Sequence, residues 1–202
     1  MFLSFRVHLL ALQQNGLYSS SLEIFESILS DILARFGGKH KRVGAALHNV
    51  AIANLRSGNL DDAMDAIEEA IKIRSRALGR KHSKVTDSLV EYGIILLSME
   101  EYDDALKVFE GALSMRKNEK LASRGDANER KLRIAKIWNN IGCVHFEKGD
   151  YTKAREAFDE AIGIFCKVYG LWTKFFYKLN VTDTGYLAMA STLCNKGKSS
   201  PL

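Results

Sequence analysis

The chain has 202 residues, 47% of them hydrophobic and 26% charged, which is too apolar for disorder and ordinary for a folded globular chain. Lys and Arg number 29 against 24 Asp and Glu, so the net charge of +5 is only mildly basic. Proline occurs once, at Pro201, and a chain whose first 200 residues lack this helix breaker is expected to be helical almost throughout.

Taken in chain order, one pattern recurs four times. The first copy sets Phe5, His8, Leu9 and Leu12 at helical spacing, then Gly16, then Ser21, Phe25 and Ile28. The second runs Leu47, Val50, Ala51, Asn54, then Gly58, then Ala63, Ile67, Ala70. A third has Leu89, Tyr92, Gly93 and Leu96, with Glu100 in the glycine slot, followed by Ala105, Phe109 and Ala112. The fourth has Trp138, Ile141, Gly142 and His145, then Gly149, then Ala154, Phe158 and Ala161. The slot advances by 58 − 16 = 42, 100 − 58 = 42 and 149 − 100 = 49, so seven residues are inserted within the charged stretch 116–130. Intervals of three and four place each set on one helix face. A glycine between two such sets ends the first helix in the left-handed conformation, so each copy predicts an antiparallel helical hairpin.

Small residues set the expected geometry. Ala51, Gly93 and Gly142 lack bulk where the first helix approaches the second, and Ala63, Ala105 and Ala154 answer from across. Trp138 and the phenylalanines are expected as core. A hairpin of this kind cannot bury its apolar face alone, so neighbours must stack. The expected fold is all-α, a right-handed superhelical solenoid of stacked antiparallel hairpins. Four repeats are expected over 1–170, at about 2–42, 43–84, 85–130 and 131–170. The tail, 171–202, lays Tyr186 over Trp138 and Gly197 over Gly149, as the first helix of an incomplete fifth repeat would. A fragment of a larger repeat protein is one reading of that ending.

These residues resemble the tetratricopeptide repeat: a large residue, a small one four positions on, glycine after seven more, then Ala-x3-Phe-x2-Ala. The 42-residue period, the phrases LHNVA (47–51) and WNNIG (138–142), and FGGKH (36–40) and LGRKH (78–82) narrow the likeness to the kinesin-light-chain type. Lys41 and Ser83 stand where that type has proline. The resemblance implies a non-enzymatic interaction module holding a peptide or protein segment in a concave groove lined by first helices.

The groove positions not needed for packing include Arg6, His48, Asn49, Arg56, Glu91, Lys136, Asn139 and Asn140. Asn49 and Asn140 hold equivalent slots, with Glu91 between them. In the family such asparagines grip the backbone of extended peptides, since an amide both donates and accepts. The alternative at these two positions is a hydrogen bond to the neighbouring repeat. Arg6, His48, Arg56 and Lys136 are expected to favour acidic peptides, with Glu91 working against that preference.

Two basic clusters, Lys72 to Lys84 and Arg116 to Lys136, are read as solvated helix ends and turns. Binding of nucleic acid or another acidic partner through them is the competing reading. His40 and His82, 82 − 40 = 42 apart, are read as residues of the turns between hairpins, and His145 as a packing residue. No phosphate loop, G-x-S-x-G or HExxH pattern occurs, so no enzymatic role, cofactor or metal is expected. No apolar run suits a membrane span, and Arg6 and His8 interrupt the apolar start, against a signal peptide. Cys143, Cys166 and Cys194 form no close pair and leave one over, so neither a disulfide framework nor a zinc knuckle is indicated, and a reducing, cytoplasmic location is expected.

Overall fold

The computed structural model describes residues 18–119 and 124–169. Among them are seven α-helices and no strand: α1 (Tyr18–Phe36), α2 (Lys41–Ser57), α3 (Leu60–Leu78), α4 (Ser83–Ser98), α5 (Tyr102–Lys117), α6 (Arg124–Glu147) and α7 (Tyr151–Tyr169). The all-α expectation holds. Arg6, His8, Gly16 and the tail fall outside the described residues. The chain divides after Met99 into two compact units, α1–α4 and α5–α7.

In unit one, α2 and α3 are joined by Gly58 and Asn59 alone. Gly58 adopts φ 83°, ψ 5°, and the Asn59 amide donates back to the Asn54 carbonyl at 3.0 Å. That bond satisfies a carbonyl the helix end would otherwise leave open. Asn54 is itself buried, and its side-chain oxygen accepts from the Asn59 amide group at 3.2 Å. The apolar faces then meet in a cluster of Val50, Ala51, Ala53, Ala63, Ile67 and Ala70, joined by Phe25 of α1 and Ile95 of α4. Ala51, Ala63, Ile67 and Ala70 are wholly covered. Burying Ile67 alone contributes about 1.5–3 kcal/mol.

The turns before α2 and α4 are copies of each other. In one, the Gly37 amide donates to Leu33 O, the His40 amide to Gly37 O and the Val43 amide to His40 O. In the other, Gly79 donates to Ser75 O, His82 to Gly79 O and Val85 to His82 O. Each histidine caps the following helix through Nδ1, which accepts from the Arg42 amide at 3.3 Å and the Lys84 amide at 3.1 Å. The reading of His40 and His82 as turn residues therefore holds, and their chemical task is capping.

Unit two repeats the hairpin in α6 and α7. Gly149 adopts φ 78°, and the Asp150 amide donates to His145 O at 2.8 Å. Gly142 lies flat against Phe158; a Cβ there would stand 2.6 Å from the ring. Glycine is thus required at this contact. Phe109, Ala112 and Ala154 are fully covered and Phe158 nearly so, whereas Trp138 is half-buried. The expectation that Trp138 is core is corrected: its ring lies under the Lys117 ammonium, 5.4 Å from the centroid, where a partly solvated face suits a cation. Arg130 of α6 donates to Lys117 O at 3.1 Å and Glu119 O at 3.2 Å, closing the end of α5. Lys148 and Asp103 form an ion pair linking the α6 and α5 ends.

Unit two opens at Glu100, which keeps the left-handed backbone of the glycine slot at φ 66°. A side chain pays a steric penalty there that glycine avoids. Cys143 is buried, and Cys166 is a half-buried free thiol. Among the described residues, no helix is long and apolar enough to cross a membrane.

Candidate functional site

The sequence-predicted residues fall on the two units separately. On α2, Asn49 is exposed and Ile52 and Arg56 are half-buried, at intervals of three and four that set them on one face. Glu91 lies half-buried on α4. On α6, Lys136 is exposed while Asn139 and Asn140 are half-buried. Asn139 donates weakly to Cys143 Sγ at 3.8 Å, one turn on. No hydrogen bond engages the Asn49 or Asn140 amide among the described residues.

His48 belongs to something different. Its Nδ1 lies 3.3 Å from Ser88 Oγ of α4, and Ser88 accepts from Arg74 Nη1 of α3 at 2.6 Å. Arg74 also donates to Lys84 O at 3.0 Å, and Ser88 Oγ lies 3.3 Å from that same carbonyl. Ser88 has one hydroxyl hydrogen, so it goes either to Lys84 O or to His48 Nδ1. In the first case His48 donates from Nδ1.

Burial of the imidazole, then the Arg74 charge beside it, lowers the His48 pKa to about 3. His48 is therefore neutral at pH 7 and brings no cation to an acidic peptide. Burial also pulls the Arg74 guanidinium below its usual range, and the Asp87 carboxylate works against that shift.

The reading of both basic clusters as solvated fails at two arginines. Arg74 is 5% exposed and Arg116 is 1% exposed, the latter bonded through Nη1 to Glu119 at 2.9 Å. They hold one slot, 116 − 74 = 42. Sequence reasoning missed them, though a signal was present. The same slot holds Ile32 one repeat earlier and Phe165 one repeat later (165 − 116 = 49), so it faces inward. Ser88 likewise shares its slot with Ala46 and Ile137, both buried. An arginine survives there because its stem packs while its head finds carbonyl and hydroxyl acceptors.

His145, in the Asn54 slot, is half-buried, and its Nδ1 finds no hydrogen-bond partner among the described residues. Burial lowers its pKa, with Asp150 opposing.

Antiparallel helices, short turns with one left-handed residue each, and alanine contacts recurring from hairpin to hairpin define a helical-repeat protein. The tetratricopeptide-repeat family model matches residues 10–76 and 55–118, and a second model of that repeat matches 135–165. The chain belongs to the tetratricopeptide-repeat family, whose members mediate protein–protein interaction. Among solved structures it is similar to BtubC (BKLC) from P. vanneervenii, at 21% identity and TM-score 0.66. That match covers 77% of this chain, which spans only 59% of the neighbour's length. It is also similar to a Podosopora anserina putative kinesin light chain with nearly identical TPR-like repeats, 14% identical, TM-score 0.55, covering 78% of this chain and 91% of that one. A glutamine-to-methionine variant of the latter gives 14%, 0.55, 79% and 92%. No curated protein matches this chain.

Proposed function

We propose that the chain is a non-enzymatic module whose first helices hold extended peptides, α2 and α4 forming one such face in unit one and α6 bearing another in unit two. The observation that carries this reading is the state of two amides. Asn49 and Asn140 occupy equivalent slots, yet among the described residues neither makes the hydrogen bond to a neighbouring repeat that would give it a purely structural task. An uncommitted amide on a helix face can donate to one peptide carbonyl and accept from the next amide. Arg56 and Lys136 supply cations beside these amides, and the neutral His48 supplies only an imidazole edge, so an acidic preference rests on the first two.

The test is a panel of unstructured peptides of varied sequence, titrated against the full chain. The double variant Asn49→Ala, Asn140→Ala is expected to weaken many peptides alike, by roughly 1–3 kcal/mol. A control, Lys72→Ala with Lys107→Ala, alters exposed cations of the second helices and is expected to change nothing. Arg74 is kept out of the control because it is buried. Weakening by the control alone would sink the proposal.

A further inference from the structure

The helix starts of unit one are of two kinds. α3 begins after the glycine turn with Asp61 and Asp62 in its first turn, where carboxylates suit the positive end of the helix dipole. α2 and α4 begin after the histidine turns and have no acid in the first turn. Lys41 and Arg42 stand there in α2 instead. At these starts side-chain charge and dipole share a sign, contrary to the usual compensation.

Both histidine turns lie at one edge of the unit. A Cβ at Gly44, in the first turn of α2, would stand 3.1 Å from Ile73 and Arg74 side-chain atoms. Arg74 in turn bonds the Lys84 carbonyl in the first turn of α4. Along this edge Lys39, Lys41, Arg42, Arg76, Arg80 and Lys81 are all exposed. None of the six forms an ion pair among the described residues, whereas their neighbours Lys72 and Lys84 are paired with Glu69 and Asp87. The field of the edge is therefore not cancelled locally.

We propose that this edge is a second binding surface, which takes a short acidic segment of a partner protein. Length and chemistry select that occupant. From the start of α2 to the start of α4, helices that meet through His48 and Ser88, is one helix spacing, about 10 Å, or roughly three extended residues. Beyond it the exposed face of α3 turns acidic at Glu68, 76 − 68 = 8 residues from Arg76, or about 12 Å along the helix. A long polyanion running past the edge would meet like charge. Single-stranded nucleic acid also needs open aromatic faces. The one exposed ring here, Phe36, is already engaged by His40, stacked at 4.8 Å, and by the Arg42 guanidinium at 4.6 Å. Membership of a protein-binding family points the same way.

The surface does not depend on the peptide site proposed above, and one experiment separates them. A fluorescein-labelled octaglutamate peptide and a labelled eight-nucleotide thymidine strand are titrated by anisotropy into the full chain at low salt. Tighter binding of the peptide is expected, weakening about tenfold or more as salt rises from about 50 to 200 mM. Measured in the Asn49→Ala, Asn140→Ala background, so that the groove does not contribute, Lys39→Glu, Lys41→Glu, Arg80→Glu and Lys81→Glu together should abolish it, and Lys107→Ala should leave it within about twofold. If the reversed variant loses helicity, the same four positions changed to Gln should still weaken the peptide at least about fivefold. Failure of the unaltered chain to bind the peptide overturns the proposal. So does tighter binding of the oligonucleotide, or retention of the peptide by a folded four-site variant.

Discussion

At the closest approach of α2 and α3, Ala51 stands in the slot that Gly142 holds between α6 and α7, and Ile67 stands in the slot of Phe158. The larger ring faces the smaller residue. Unit two removes a methyl from α6 and adds volume on α7, while unit one keeps a methyl and takes an aliphatic partner. Both pairs are buried. What the two hairpins share is a summed volume across the contact, and identity at either position is secondary. The polar slots differ in kind. In unit one Asn54 closes its hydrogen bonds with Asn59, and in unit two His145 leaves Nδ1 without a partner among the described residues.

Gly142→Ala tests this volume rule most severely. With a Cβ placed 2.6 Å from the Phe158 ring, it is expected to destabilise by about 3 kcal/mol, the upper part of the overpacking range. Adding Phe158→Ile recreates the unit-one pair and should recover at least about 1 kcal/mol as coupling in a double-mutant cycle. Additive losses in denaturant melts would break the comparison. Next in size is Arg74→Leu, which strips donors from Ser88 and the Lys84 carbonyl and should cost about 2 kcal/mol. An unchanged denaturation midpoint would mean that the buried arginine contributes nothing its apolar slot-mates Ile32 and Phe165 do not.

Acid should separate the halves further. The folded pKa of His48 is about 3 against an ordinary 6.5, so between these values the unfolded chain binds the extra proton. Stability is fully present above about pH 6.5 and falls as pH drops toward 3, by at most about 1.4 kcal/mol per unit. His48→Gln should flatten that slope, as read from chemical denaturation between pH 4 and 7. The smallest expected effect is a gain. Glu100→Gly relieves the left-handed strain that Gly58 and Gly149 avoid, and should stabilise by about 0.5–1 kcal/mol after the entropy cost of glycine. A loss would mean that Glu100 makes a contact worth more than its strain.

The hairpins were legible because their signals are local and repeated: the slot residues Gly58 and Gly149, and the alanines at 63 and 154, recur in register. Gly142 was legible for the same reason, as a small residue opposite a large one. Arg74 and Arg116 were not, because each sits inside a basic run beside cations that face solvent, such as Arg76 and Lys117. Their equivalence to Ile32 and Phe165 outranks the basic run around them. Of the candidate site, the face shared by Asn49 and Arg56 could be read from helical spacing. The loss of charge at His48 could not, since it depends on Arg74 and Ser88 arriving from α3 and α4.

The identical bonds at Gly37–His40 and Gly79–His82 make residues 41–82 an interchangeable cassette of 82 − 40 = 42 positions. Excising it joins His40 to Ser83, and duplicating it joins His82 to Lys41. In either case a histidine cap meets a helix start that already follows such a cap. An array with this junction can change length by whole hairpins without rewriting the chemistry of a single turn. The seven extra residues before the fourth repeat are where that freedom stops.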